Sequence, residues 1–271
     1  MTGATTRVRP AAVAGRFYPG DARTLATTVD DALAHAAPWS GPAPKALVVP
    51  HAGYVYSGPI AATGYRTLAA ARDTVRRVVL IGPAHYVGVD GLAVSSADAF
   101  VTPLGVVPVD AELRDRALAL PGVTIDDHAH APEHSLEVHL PFLQRTLTDF
   151  SVLPLVVGRA DPGTVAAVLD AVWGGPDTLV VVSSDLSHYL DQRAASARDR
   201  ATAAAIVDGR GDNITSEEAC GAAPVRGLLL AARAHGLHAE LLDLRTSADT
   251  AGDPTRVVGY GTFVFVRSAG P

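Results

Sequence analysis

Four short runs rich in Val and Leu, ALVVP at 46–50, VVLIG at 78–82, SVLPLVVG at 151–158 and TLVVVSS at 178–184, recur between longer stretches of helical composition. A run that is apolar at every position cannot leave one face in water. It needs cover on both sides, which parallel strands joined by helices provide. The constraint narrows the chain to an α/β fold with a mostly parallel central sheet and helices on both faces, a three-layer α/β/α arrangement. Helices are expected in GPIAATGYRTLAAA, from Ala111 to Leu120, in HSLEVHLPFLQRTL, in PGTVAAVLDAVW and from Gln192 to Val207. PVRGLLLAARAHG reads as another, with Pro224 in a tolerated first turn and Gly236 able to close it. AELLDL and VVGYGTFVFV read as C-terminal strands, the glycine pair of the second marking close packing. GLAVSS and TPLGVVPVD read as an antiparallel pair at an edge. No Ser/Gly/Pro-rich or singly charged tract divides the 271 residues, so one domain over 1–271 is expected.

Acidic side chains outnumber basic ones, 28 to 22, and the arginines are scattered, which argues against nucleic acid as a partner. No apolar run approaches the roughly 20 residues that span a bilayer. Cys220, the single cysteine, has no intramolecular disulfide partner, and the N-terminus lacks the apolar core of a signal peptide. These features point to the cytoplasm. There is no phosphate-binding G-x-x-x-x-G-K-[ST], no G-x-S-x-G and no C-x-x-C.

The polar residues fall where the strands end. ALVVP runs into His51, VVLIGPA into His85, and VVVSS into Asp185 and His188. Side chains just beyond the carboxyl ends of parallel strands line the crevice where such sheets bind ligands. A single histidine there commonly caps a loop, but three in succession suit a divalent transition metal, because neutral imidazole binds iron, copper, zinc and nickel. Asp185, the carboxylates of PEHSLEVH and Cys220 are candidates for an anionic ligand. Cys220 precedes an expected helix start, where the helix dipole favours a thiolate. On a helix, Glu133 and Glu137 would share a face. The string H-x-x-E-x-H matches neither zinc-protease pattern, so a protease motif is rejected. DDHAHAPEH offers His128 and His130 on one side of an extended segment, a weaker second cluster.

With those residues in view, the chain resembles the Memo family, whose bacterial members are labelled AmmeMemoRadiSam system protein B. The resemblance runs through RPAAVAGRFYPGD, PHAGYVYSGPIAA, GPAHY, TPLGVVPVD, EHSLEVHLPFL, SSDLSHY, CGAAP and VVGYGTFVF. It implies a fold similar to the class III extradiol dioxygenases, which use non-haem iron(II). It also implies metal ligands at His51, His85 and Cys220, with Asp185 and His188 as further pocket residues. The thiolate in place of the dioxygenases' carboxylate shifts preference toward copper(I), zinc or a redox-tuned iron. The bacterial label implies radical SAM and AMMECR-type proteins as partners.

The resulting expectation is an iron(II)-dependent, dioxygenase-like oxidoreductase, with copper or zinc as alternative metals and a small organic substrate. His188 would act as general acid or base with Asp185 orienting it, and Tyr54, Tyr86, Tyr189, His134 and Glu137 would line the pocket. The alternatives are a non-catalytic metal-binding partner of the radical SAM system, and a zinc hydrolase with Glu137 or His188 as base.

Overall fold

Each apolar run becomes a strand, and alternate residues of each strand bury into different layers. The computed structural model describes residues 6–267. In chain order the first elements are β1 (Val8–Arg9), α1 (Ala22–His35), β2 (Ala46–Val49), α2 (Tyr54–Arg66), β3 (Arg77–Pro83), β4 (Leu92–Val94), β5 (Ala99–Thr102) and β6 (Gly105–Pro108). Next come α3 (Ala111–Leu118), β7 (Val123–Ile125), α4 (Asp127–His130), α5 (Leu140–Thr146), β8 (Ser151–Val157), α6 (Pro162–Ala171) and β9 (Thr178–Ser183). The chain continues with β10 (His188–Leu190), α7 (Gln192–Val207), α8 (Ala222–Ala234), β11 (Leu237–Thr246) and β12 (Val257–Arg267). No helix among the described residues is long and apolar enough to cross a membrane.

The centre of the large sheet runs β2-β9-β3-β8, all parallel. Both flanks are antiparallel. β12 pairs with β2 and carries β11 along its other side, and β4 pairs with β8 before β7 closes that edge parallel to β4. The sheet is therefore mixed, with the parallel part in the buried middle, as the both-faces-buried runs require. Leu47, Val49, Val78, Leu80, Leu179 and Val181 pack toward α1, α2 and α5, beside Leu25, Tyr65 and Phe142. Their neighbours Ala46, Val48, Val79, Ile81, Val180 and Val182 pack toward α3, α6, α7 and α8, beside Leu113, Val168, Ile206 and Leu228. This period of two makes the three layers. Asp21, Asp110, Asp161 and Asp191 cap α1, α3, α6 and α7, each accepting a first-turn backbone N–H.

Two local expectations are corrected. GLAVSS and TPLGVVPVD do not pair with each other: the first supplies β4, which joins the large sheet, and the second supplies β6, which pairs with β5 beside β1 in a separate three-stranded sheet. The segment from His134 to Leu147 is not one helix. Only Glu137–His139, as a 3-10 turn, and α5 are helical, because the Glu133 carboxylate takes the N–H groups of His134 and Ser135 and holds a turn there.

The glycine pair of β12 is close packing, as its sequence suggests. A Cβ on Gly259 would lie 1.9 Å from Asp199 Oδ2, and Asp199 Oδ1 accepts the N–H of Ser187 at 3.0 Å. Gly259→Ala is expected to cost about 2–3 kcal/mol, at the upper end of overpacking changes, measured by urea unfolding. A loss under about 0.5 kcal/mol would show that α7 yields freely.

Candidate metal centre

His51, His85 and Asp185 each lie two residues beyond a strand, after β2, β3 and β9. Because β9 sits between β2 and β3 and all three run parallel, their carboxyl ends meet. One donor atom from each of His51, His85 and His134 falls within 4.8 Å of the others, and Cys220 Sγ lies 3.4 Å from His51 Nε2. The structure thus gathers His134 with His51 and His85, and sets Cys220 against His51.

Hydrogen bonds fix which nitrogen each imidazole offers. The Ser183 hydroxyl donates its only proton to the Ser135 carbonyl at 2.6 Å. At 2.6 Å from His51 Nδ1 it can then only accept, so His51 carries its proton on Nδ1 and presents the Nε2 lone pair. His85 is held likewise: its Nδ1 donates to Glu133 Oε1 at 2.8 Å and its backbone N–H to Oε2 at 2.6 Å. Burial alone would raise the Glu133 carboxyl, but the hydrogen bond and charge of His85 and the surrounding N–H groups win and hold it at about 2. A carboxylate behind a histidine is the usual support of a metal ligand.

His51 is 2% exposed, and burial, with the neighbouring imidazoles, pushes its basicity well below normal. Burial also pulls His134 down to about 4. Neutral imidazoles are what a metal requires. Cys220 departs from its expected thiolate character. Burial and the Asp185 carboxyl push the thiol up, against the helix start that follows it, so a metal must displace its proton. Its place is set by the Asp185 N–H, which donates to Sγ at 3.3 Å, and by Gly221, where a Cβ would meet the Ser183 carbonyl at 2.6 Å.

Asp185 does not orient His188. Its Oδ1 accepts the His51 backbone N–H at 2.7 Å, and burial raises its carboxyl to about 7. His188 lies on β10, partly buried, and burial lowers its basicity. Tyr86, about half exposed, lines a cavity of about 670 Å³ with His85, Cys220, Arg159 and Pro224. Tyr189 is exposed, holds a φ of 63° at the irregularity between β10 and β12, and stacks under Arg256 at 4.4 Å. Tyr54 instead turns inward at the start of α2. Its hydroxyl donates to the Val138 carbonyl at 2.6 Å and its ring packs on Phe142. Glu137 is fully buried and pairs with Arg9, also accepting from Tyr18 OH at 2.5 Å and from the N–H groups of Ala12 and Val13. Of the expected pocket residues only Tyr86 lines the cavity that holds His85 and Cys220: Tyr54, Glu137, His134 and Tyr189 do not, and His188 also lies outside that lining, near enough to His51 to affect its basicity. His128 and His130 sit on the one-turn α4, with His128 exposed and His130 buried against the Ala93 carbonyl, and so form no second cluster.

Sequence reasoning missed Ser183, Ser135 and His139. The serines carry no distinguishing pattern, and His139 has none of the strand-end placement that marked the others. His139 is fully buried, and neither ring nitrogen has a hydrogen-bond partner among the described residues. Burial holds it at about 3 and His130 at about 4, against an ordinary value of about 6.5. As pH falls through that ordinary value the unfolded chain takes up protons that the fold refuses, so stability is full above it and is lost toward the folded values. By about pH 5 each histidine is expected to have cost about 2 kcal/mol. Urea unfolding at pH 7.5 and 5 checks this, and His139→Leu should remove its share of the difference. A pH dependence identical in the variant would exclude His139.

An α/β protein with imidazoles and a thiol converging at the carboxyl ends of parallel strands is the class defined by this fold and site. The family described as Memo-like protein matches residues 9–264. A MEMO1 family protein of Aquifex aeolicus is 37% identical, over 96% of this chain and 100% of its own length. One from Methanothermobacter thermautotrophicus is 35% identical, over 93% and 98%. The chain belongs to the Memo family. Among solved structures, the uncharacterized protein JW3007 of Escherichia coli K12 aligns with a TM-score of 0.47 at 14% identity, covering 80% of this chain and 98% of that one.

Proposed function

We propose that this protein holds one transition-metal ion, iron(II) in the first place and copper or zinc otherwise, on His51, His85 and Cys220, and uses it in oxidoreductase chemistry on a small organic molecule. The observation that carries the reading is the pair of anchored imidazoles beside a thiol. With usual bond lengths, a nitrogen and a sulfur sharing a tetrahedral metal lie about 3.6 Å apart. His51 Nε2 and Cys220 Sγ are 3.4 Å apart, so this edge needs little adjustment.

When bound, the metal supplies a Lewis acid that makes a coordinated hydroxyl easier to deprotonate. The chain does the rest. Ser183 and Glu133 hold the two imidazoles in one tautomer, and the cavity beside Tyr86 admits the substrate. His188, whose basicity burial lowers, stays neutral at pH 7 and takes the substrate's hydroxyl proton on its ring. A single thiol of this kind suits a reducing cytoplasm.

A second reading, a metal-holding protein without turnover, draws support from the number of donors. Three imidazoles already gather within 4.8 Å of one another and a thiol lies against one of them, more than the three an open catalytic site needs. The zinc-hydrolase alternative loses one of its two bases, since Glu137 is committed to Arg9.

The deciding experiment follows oxygen uptake by the anaerobically iron-loaded protein across a panel of catechols and other dihydroxyaromatics. Turnover that falls about 10²-fold or more in His188→Ala, with iron retained, is expected. Turnover unchanged in that variant would remove His188 from the mechanism. One bound equivalent of metal with no uptake on any substrate would favour the holding reading.

A further inference from the structure

The three imidazoles of the cluster are not held alike. His51 and His85 are each tied at Nδ1, by Ser183 and Glu133. Among the described residues the His134 ring has no hydrogen-bond partner. Its Nδ1 is buried without a partner, 3.4 Å from Glu133 Oε1, and the ring is kept in place by packing on Phe17 at 4.5 Å and edge-on to Tyr86 at 5.6 Å. Tyr86 is itself about half exposed, so that side of the ring is free to yield. The negative Glu133 oxygen favours the proton on Nδ1 and leaves Nε2 as the donor.

We infer that His134 is an exchangeable fourth ligand, which closes the metal site when it binds and opens a coordination position for an incoming oxygen or anionic ligand when it leaves. The inference rests on the metal reading above and adds to it the means by which one site both retains and uses its ion. A closed four-donor set is the pattern of metal-retaining sites, and three donors with one vacancy that of catalytic ones. Here the fourth donor is the one without an anchoring hydrogen bond. An incoming ligand must compete with it, so apparent affinity is reduced by the fraction of time the position is open.

Cobalt(II) and azide test this without any need for turnover. Wild-type protein is expected to bind one equivalent of cobalt with a sulfur-to-cobalt charge-transfer band, and to bind azide weakly. In His134→Ala, and in His134→Phe, which keeps the packing between Phe17 and Tyr86, one equivalent should still bind with the charge-transfer band intact. Azide affinity should rise about tenfold or more, as expected if the position is open a tenth of the time or less. The ligand-field bands should shift as solvent enters. Azide affinity and ligand-field bands unchanged in both variants, with cobalt bound, would overturn the role given to His134 and leave the metal site standing. Cobalt that fails to bind wild-type protein, or binds equally in His51→Ala, would overturn the metal reading itself and this inference with it.

Discussion

His51→Ala is expected to reduce bound metal from near one equivalent to less than a tenth of that, and His85→Ala to do the same. Loss of a partner that merely supports a metal ligand costs about 10–100-fold in affinity. Loss of an imidazole that a hydrogen bond at Nδ1 already orients removes a bond outright and should exceed that range. His51 has the further role of fixing Asp185, whose Oδ1 accepts its backbone N–H while the Asp185 N–H positions Cys220 Sγ. The alanine variant keeps the backbone N–H, so the thiol should stay in place and the loss should report on the ring alone. Cys220→Ser should weaken soft metals more than hard ones, since a hydroxyl replaces a thiolate. Elemental analysis of untagged, anaerobically purified protein, followed by competition with a chromophoric chelator, measures all three. Metal content indifferent to these substitutions would dispose of the site.

Glu137→Gln should be the most damaging conservative change to stability, at about 3–5 kcal/mol. Both partners of the Arg9–Glu137 pair are buried, at 6% and 0% exposure, and the carboxylate also collects Tyr18 OH and two backbone N–H groups. The amide keeps the shape but leaves the Arg9 guanidinium without its counter-charge, and its NH2 group faces donors where acceptors are needed. Arg9 also donates to the carbonyls of His130 and Glu133, so the defect lies directly behind the residue that holds His85. Replacing both partners, as in Arg9→Met with Glu137→Leu, should recover part of the loss, because it removes both buried charges together. Denaturant unfolding at neutral pH gives the numbers. A loss below about 1 kcal/mol for Glu137→Gln would mean that water reaches the pair in solution.

The central layer was legible because residues such as Val48, Val79 and Val180 have no polar neighbours to turn toward solvent, and only a doubly covered sheet accepts that. The edges were less so. Whether Leu92–Val94 pairs with β6 or with β8 depends on contacts about 60 residues away along the chain, which no local pattern encodes. The placing of His51, His85 and Asp185 at one sheet edge followed from strand ends alone. The grouping of His134 with them did not, since a helical reading of 134–147 put it on a wall. That reading failed through one side chain, Glu133, which bonds to the backbone N–H groups of His134 and Ser135 and breaks the periodicity. Tyr54 was misjudged for a related reason: a tyrosine in a Gly-rich loop looks available, but the loop starts α2, whose first turn faces the core.

The position of β9 between β2 and β3 carries a consequence for how the protein is made. The strands bearing His51 and His85 are separated by about 30 residues, yet they are not neighbours, and the strand that joins them is synthesised about 100 residues later. Until that strand docks, the nascent chain holds its imidazoles apart, and the thiol at position 220 has not yet emerged. On the metal reading proposed above, the ligand set is complete only after β9 and Cys220 have been made, and loading is expected to follow the docking of that strand.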